Sequence, residues 1–212
     1  MRSASSRRHE TATRLHRGDL ESSDSPEQKS IRPHESAWHA AIGALVHQCA
    51  GDLADLRGTG PSAIVGAAIE WANANVNDTK VLGNLAKARS QVTSCACVYL
   101  TKYVPGPGAR HLGAEIAFDG GRIDLAWDVP GLGVVVVDEI KTHAWIRLNV
   151  DSRMLAQPRR YIAFGVSEWG TAFAGVRFLP LRHPGEARFL GADGSVARLS
   201  QSPAADVTGA AL

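Results

Sequence analysis

Cysteine is scarce in this chain: its 212 residues include three, Cys49, Cys95 and Cys97. An odd, low count does not support a secreted disulfide framework and points to a reducing, cytoplasmic setting. Long apolar runs are missing too. None approaches the roughly 18–20 residues that a membrane-spanning helix needs, so no membrane partner is expected. Arg7-Arg8 is not followed by a hydrophobic stretch, so no secretory signal is expected either. A strong charge of one sign is also lacking, since the formal net charge is only +2. A protein that coats nucleic acid non-specifically is usually far more basic. Any nucleic-acid contact must therefore come from a local cluster. No internal repeat is visible. What the chain does have is an apolar fraction of 44%, which suits a globular domain with a real core.

Residues 1–34 mix Ser, Arg, Glu and His with almost no large apolar residue, and read as a solvated, disordered tail. From Ser36, a candidate N-cap, the residues Trp38, Ile42, Leu45, Val46, Cys49, Leu53 and Leu56 recur at helical spacing. Gly58-Thr59-Gly60-Pro61 breaks that pattern. A second helix is expected over 62–73 and a third over about 78–103, ended by Pro105-Gly106-Pro107-Gly108. Strands are expected over 112–118, 122–127 and 134–137, with turn chemistry at Asp119-Gly120-Gly121 and Pro130-Gly131. The run Val134–Val137 is wholly apolar and β-branched, as in a strand buried on both faces. A helix over about 151–164 and a strand over about 172–181 follow. The final stretch, 183–212, is rich in Ala, Gly, Ser and Asp and is expected to be flexible. The order is helices, then β-β-β-α-β: an α/β fold with a central mixed sheet, flanking helices and a helical N-terminal half, its domain spanning 35–182.

The stretch 115–161 carries the chemistry. Side chains alternate across a strand, so Ile123, Leu125 and Trp127 are expected on one face, with Arg122 and Asp124 on the other. In Asp138-Glu139-Ile140-Lys141-Thr142, Glu139 and Lys141 share a face and Ile140 turns to the core; Asp138 then faces away and reads as structural. Alone, a Glu-x-Lys pair at a strand end is more often a solvated end than a catalytic one. The spacing to Asp124 and the buried valine run between them lift it above that background. Two carboxylates on neighbouring strands suit a hard divalent cation such as Mg²⁺. Such a cation neutralises charge building on a phosphate, and the adjacent ammonium of Lys141 can orient the attacking water or stabilise the transition state.

Asp124, followed after a hydrophobic strand by Glu139-Ile140-Lys141, resembles the PD-(D/E)XK nuclease superfamily. Gly121-Arg122-Ile123-Asp124 resembles the GxxD segment of its RecB-like exonuclease branch, and Glu139-Ile140-Lys141-Thr142 its (D/E)xKT segment. Gln157 and Tyr161 fit its QxxxY motif, and Gly43-Ala44-Leu45-Val46-His47 resembles its upstream GxxxH element. The resemblance covers about residues 36–181 and implies a restriction-endonuclease-like core. It implies Asp124 and Glu139 as metal ligands, with the Ile140 carbonyl and His47 joining them, and Lys141 as the catalytic lysine. Gln157 and Tyr161, four apart on one helix face, would support the site or touch the DNA backbone. Glu115 on the first strand is a further candidate carboxylate. Pro158 follows Gln157 directly and is comfortable only if a helix begins there. Some members of that branch hold an iron–sulfur cluster on four cysteines; with three, this chain is expected to hold none. Cys95-x-Cys97 lies in an apolar helical segment and reads as buried cysteine rather than a zinc site.

The implied activity is a metal-dependent deoxyribonuclease using Mg²⁺ or Mn²⁺. The implied partners are DNA, with RNA left open, and a helicase, another protein or a second copy, since no helicase motif is present. Arg147, Arg153, Arg159 and Arg160 supply the local positive cluster that the low net charge requires. Two competing readings stand beside it: a nucleic-acid-binding module on the same fold, without its own cleavage, and a structural or interaction protein in which the motifs coincide by chance.

Overall fold

The structure, a computed structural model, describes residues 33–106, 108–142 and 153–199. The expected tail over 1–34 lies outside these residues, apart from its last two positions.

Those two positions already belong to α1 (Pro33–Asp52), so Ser36 lies inside the helix and does not cap it. Ile42, Val46, Cys49 and Ala50 form its buried stripe, at the i, i+4, i+7, i+8 spacing of one helix face. A short 3-10 turn (Ala54–Leu56) follows. Pro61, which has no N–H to lose, opens α2 (Pro61–Asn75). Trp71 Nε1 of α2 donates to Asp52 Oδ2 at 2.8 Å and ties α2 to the end of α1. The expected single helix over 78–103 is two: α3 (Thr79–Leu82) and α4 (Leu85–Lys102). Asp78 caps the first through the N–H groups of Lys80 and Val81, and Asn84 caps the second through Lys87 N–H. Gly83 between them sits at φ +61°, a left-handed conformation that glycine adopts without a Cβ penalty. Local capping chemistry prevailed over a continuous apolar periodicity.

The sheet has six strands in sequence order: β1 (Arg110–Phe118), β2 (Gly121–Val129), β3 (Val134–Lys141), β4 (Phe173–Pro180), β5 (Arg188–Gly191) and β6 (Val196–Arg198). Every neighbouring pair is antiparallel except β3–β4, which is parallel. A parallel pair needs a crossover, and α5 (Ala156–Trp169) lies on that connection. One apolar cluster joins the N-terminal helices to one sheet face through Leu125, Trp127, Val136 and Leu179. A second joins α5 to the other face through Ala126, Val137, Tyr161 and Val176. The sheet is therefore sandwiched, and β3 is buried on both faces, as its valine run requires. Among the described residues no helix is long and apolar enough to cross a membrane.

Three expectations are corrected. Ile123 packs in the second cluster, not with Leu125 and Trp127; the regular β2–β3 ladder ends at the Leu125–Asp138 pair, and strict alternation ends with it. The helix expected from 151 begins at Ala156, which puts Pro158 in its first turn, where no N–H partner is lost. The stretch from 183 is not simply a flexible tail: β5 and β6 extend the ordered sheet to Arg198, with Leu190 fully buried. Averaging composition over thirty residues hid two strands of four and three residues.

Gly175 in β4 has φ +149°, and a Cβ there would meet the Leu190 carbonyl oxygen of β5. Gly66, in the exposed middle of α2, has open space around it. Gly66→Ala should stabilise the protein by about 0.5–1 kcal/mol through helix propensity. Gly175→Ala should destabilise it by roughly 2 kcal/mol or more, because a backbone carbonyl cannot move aside. Urea unfolding midpoints of the two variants should shift in opposite directions.

Candidate functional site

The site forms where β2 and β3 part. Past the Leu125–Asp138 pair, the N–H of Ile140 finds no backbone carbonyl on β2; it donates instead to Asp124 Oδ2 at 2.6 Å. Asp124 is thus wedged between the diverging strands, buried, with Oδ1 turned toward α1. There it meets His47 Nδ1 at 3.2 Å. Glu115 Oε1 of β1 meets the same nitrogen at 3.1 Å, and His47 Nε2 lies 3.3 Å from the Ile140 carbonyl oxygen. His47 reaches this point because α1 passes close over the end of β3: a Cβ on Gly43 would sit 3.7 Å from Thr142 Oγ1.

His47, Glu115 and Asp124 each offer a ligand atom, and these atoms lie within 4.8 Å of one another. Of the four residues that the sequence marks as metal ligands, His47, Asp124 and the Ile140 carbonyl come together here. Glu139 adjoins this group, close enough for its charge to act on His47 and Asp124, and Glu115 joins His47 and Asp124 in it. The Glu139 carboxylate is 0% exposed and ion-paired with Lys141. Its Oε2 has no hydrogen-bond donor among the described residues.

Lys141 Nζ also donates to Gln157 Oε1 at 3.2 Å. Gln157 Nε2 donates to Tyr161 OH at 2.7 Å, and the Tyr161 hydroxyl donates to the Arg122 carbonyl at 2.5 Å. Gln157 and Tyr161 share a face of α5 as the i, i+4 spacing requires. Tyr161 fastens α5 to β2, and Gln157 bridges Tyr161 and the lysine. A cleft of about 370 Å³ opens over the cluster, lined among others by His47, Glu115, Asp124, Lys141 and Gln157. Thr142, the last residue of the (D/E)xKT-like segment, also lines it, as does His39, which the sequence reading did not single out. The signal was there for His39, since His39, Gly43 and His47 form an i, i+4, i+8 stripe on α1.

Asp138 does face the other way. Arg177 grips it with two hydrogen bonds, Nε to Oδ1 at 2.6 Å and Nη2 to Oδ2 at 2.7 Å. Tyr99 OH donates to Oδ2 at 2.6 Å, and Trp127 Nε1 lies at 3.1 Å from the same oxygen. Cys49 and Cys95 are buried and Cys97 is half-buried, in α1 and α4. Burial pushes the Cys49 thiol up to about 12, with the nearby Cys97 adding to it, so it stays a thiol at neutral pH. Of the four arginines expected near the site, Arg159 and Arg160 are exposed on the first turns of α5, and Arg153 is exposed just before it. Arg147 lies outside the described residues. Among the arginines, Arg122 lines the cleft.

No family model matches this chain, and neither a curated protein nor a solved structure gives a significant match to it.

Burial, reinforced by the Glu139 charge, pushes the Asp124 carboxyl up from 3.8 to about 7, although His47 opposes the shift. Burial works against the His47 imidazolium, but the Asp124 and Glu115 carboxylates outweigh it and hold His47 above its usual value. Both groups bind protons more tightly in the folded chain than in the unfolded one. The Asp124 contribution to stability is therefore full below its unfolded value of 3.8 and is lost as pH rises through about 7; the His47 contribution is full below 6.5 and is lost as pH rises above it. In the presence of a chelator, the protein should lose on the order of 1–3 kcal/mol from this pair between about pH 4 and 8. Asp124→Asn keeps an acceptor for the Ile140 N–H and should melt above the parent at about pH 7.5. A lower melting temperature at that pH would contradict the electrostatic account.

Proposed function

We propose that this chain is a divalent-metal-dependent deoxyribonuclease with a PD-(D/E)XK site of the RecB-like kind, hydrolysing DNA phosphodiester bonds. One observation carries the reading: a histidine–carboxylate cluster and an ammonium held between Glu139 and Gln157 converge on one open cleft.

The donor set fits a hard cation. Carboxylate oxygens, a backbone carbonyl and one imidazole lie together, a combination suited to Mg²⁺ or Mn²⁺. The buried Glu139 carboxylate pairs with Lys141, and its Oε2, without a hydrogen-bond donor among the described residues, is open to a further positive partner. On this reading Asp124, Glu139, His47 and the Ile140 carbonyl hold the cation. A bound Mg²⁺ or Mn²⁺ would supply Lewis acidity and neutralise charge on the scissile phosphate.

The remaining work falls to side chains. Lys141, fixed by Glu139 and Gln157, presents an ammonium to the cleft, where it can hold a water for attack and stabilise charge on the phosphoryl oxygens. Its orientation depends on the Gln157–Tyr161–Arg122 carbonyl relay, which joins α5 to β2. Arg122 and the exposed Arg159 and Arg160 suit flanking phosphates of the DNA strand, which arginine grips through its planar fork. The low net charge then reflects a local docking surface rather than a global field. Three free thiols suit a cytoplasmic setting, and a helicase or a second copy suits cutting of both strands.

The test is a cleavage assay on linear duplex, single-stranded and covalently closed circular DNA, with Mg²⁺ or Mn²⁺. The parent should digest linear DNA, and Lys141→Ala should lower the rate by roughly 10²–10³-fold while still melting cooperatively. Intact DNA on every substrate with either metal would favour a nucleic-acid-binding module on the same fold.

A further inference from the structure

A groove of about 680 Å³ lies between α2 and α4, on helices that contribute no residue to the cleft. Val65 and Ile69 line it from α2, and Ser94, Val98 and Thr101 from α4. We infer that this groove is the contact surface for a second copy of the chain, the two copies related by a two-fold axis that runs along it. The inference is independent of the chemistry of the cleft.

The α2 side supplies the first observation. Val65 and Ile69 lie one helical turn apart and stay 41% and 46% exposed. β-branched side chains lose rotamer freedom in a helix and lower its propensity to form. The buried stripe of the same helix, Ile64, Ala68, Trp71 and Ala72, already anchors it to the core. Folding of one copy therefore gives little reason for two aliphatic residues at these positions. Burial against another surface does, because it removes their apolar area from water.

Charge selects the occupant. Glu70 is the one charged residue of α2, whereas α4 carries Lys87, Arg89 and Lys102 and no acid. Of these only Arg89 lines the groove; its Nε donates to the Val76 carbonyl at 3.2 Å, just past the end of α2. A two-fold axis along the groove turns α2 of each copy onto α4 of the other. It sets the Val65–Ile69 ridge against Val98 and the hydroxyl-bearing wall of the second copy. It also brings Glu70, in the C-terminal half of α2, toward Arg89 of the second copy. Each contact is then made twice. A centre poor in charge, with opposite charges toward its rim, is the usual anatomy of a protein–protein contact. Both clefts stay open in such a dimer, since neither α2 nor α4 lines them.

The test is sedimentation velocity of the full chain from about 1 to 100 µM, a range that brackets a micromolar dissociation constant. The parent should pass from monomer to dimer across it. Ile69→Glu should weaken dimerisation about tenfold or more and still melt cooperatively near the parent, since the position is open to solvent in one copy. Glu70→Lys should weaken it about threefold or more. Val166→Glu is the matched control: Val166 is also 46% exposed but lies on α5, and this variant should dimerise like the parent. A parent that stays monomeric throughout would overturn the inference and leave the groove to a different protein. A dimer that Ile69→Glu and Glu70→Lys both leave intact, or that Val166→Glu disrupts as strongly, would overturn it as well. A dimer that cleaves no DNA leaves this inference standing and removes the nuclease reading; a monomer that cleaves DNA does the reverse.

Discussion

The buried pair between Asp138 and Arg177 sets the geometry on which the cleft depends. The two residues are direct register partners across the parallel β3–β4 pair. Both are buried, and their two-point contact is completed by Tyr99, Trp127 and the Tyr103 carbonyl. A buried ion pair contributes little net stability compared with apolar packing, but leaving one member alone is costly. Its effect here is on register. Strand side chains alternate with period two, so a slip of one residue would exchange Asp138 and Glu139 between faces. With Asp138 fixed under α4, Glu139 and Lys141 must face α5.

The second constraint is the parting of β2 and β3. Where the ladder ends, a backbone donor needs an acceptor, and Asp124 supplies it with one oxygen while its other oxygen reaches His47. This divided role has an electrostatic consequence. Asp124 cannot leave the interior, because its oxygen closes the split between two strands, and its charge must be met there. The Glu139 charge raises the proton affinity of Asp124 and the histidine of α1 lowers it, while the Asp124 carboxylate raises that of His47.

The helices on the two faces then divide the labour. The N-terminal helices bring His39 and His47 over the end of the sheet, and α5 anchors Lys141 through Gln157 and Tyr161. Tyr161 is fully buried, and its hydroxyl is fastened to β2, so α5 has little freedom to shift without unmaking a buried hydrogen bond. Arg159 and Arg160 are exposed on the same helix, and Arg160 donates to the Gly120 carbonyl at the β1–β2 turn.

By itself, the sequence determined the class of fold and the identity of most candidate site residues. The valine run, the turn dipeptides and the helical stripes are local, and local patterns are readable. Asp124, Glu139 and Lys141 stand out because polar residues interrupt otherwise apolar strands, whereas Gln157 and Tyr161 are marked only by the resemblance of their spacing to a QxxxY motif. It also determined that Asp138 faces away from Glu139, since alternation in a strand needs no tertiary information. Only the tertiary structure decided which of these groups meet. Glu115 joins His47 and Asp124 because β1 takes a positive φ beside Asp124, which no neighbouring residue signals. Arg177 finds Asp138 across a parallel pair joined by a long crossover, a contact without sequence proximity. The break at Gly83-Asn84 and the strands β5 and β6 were hidden for a related reason: capping and edge pairing act over three or four residues, below the window in which periodicity and composition can be read.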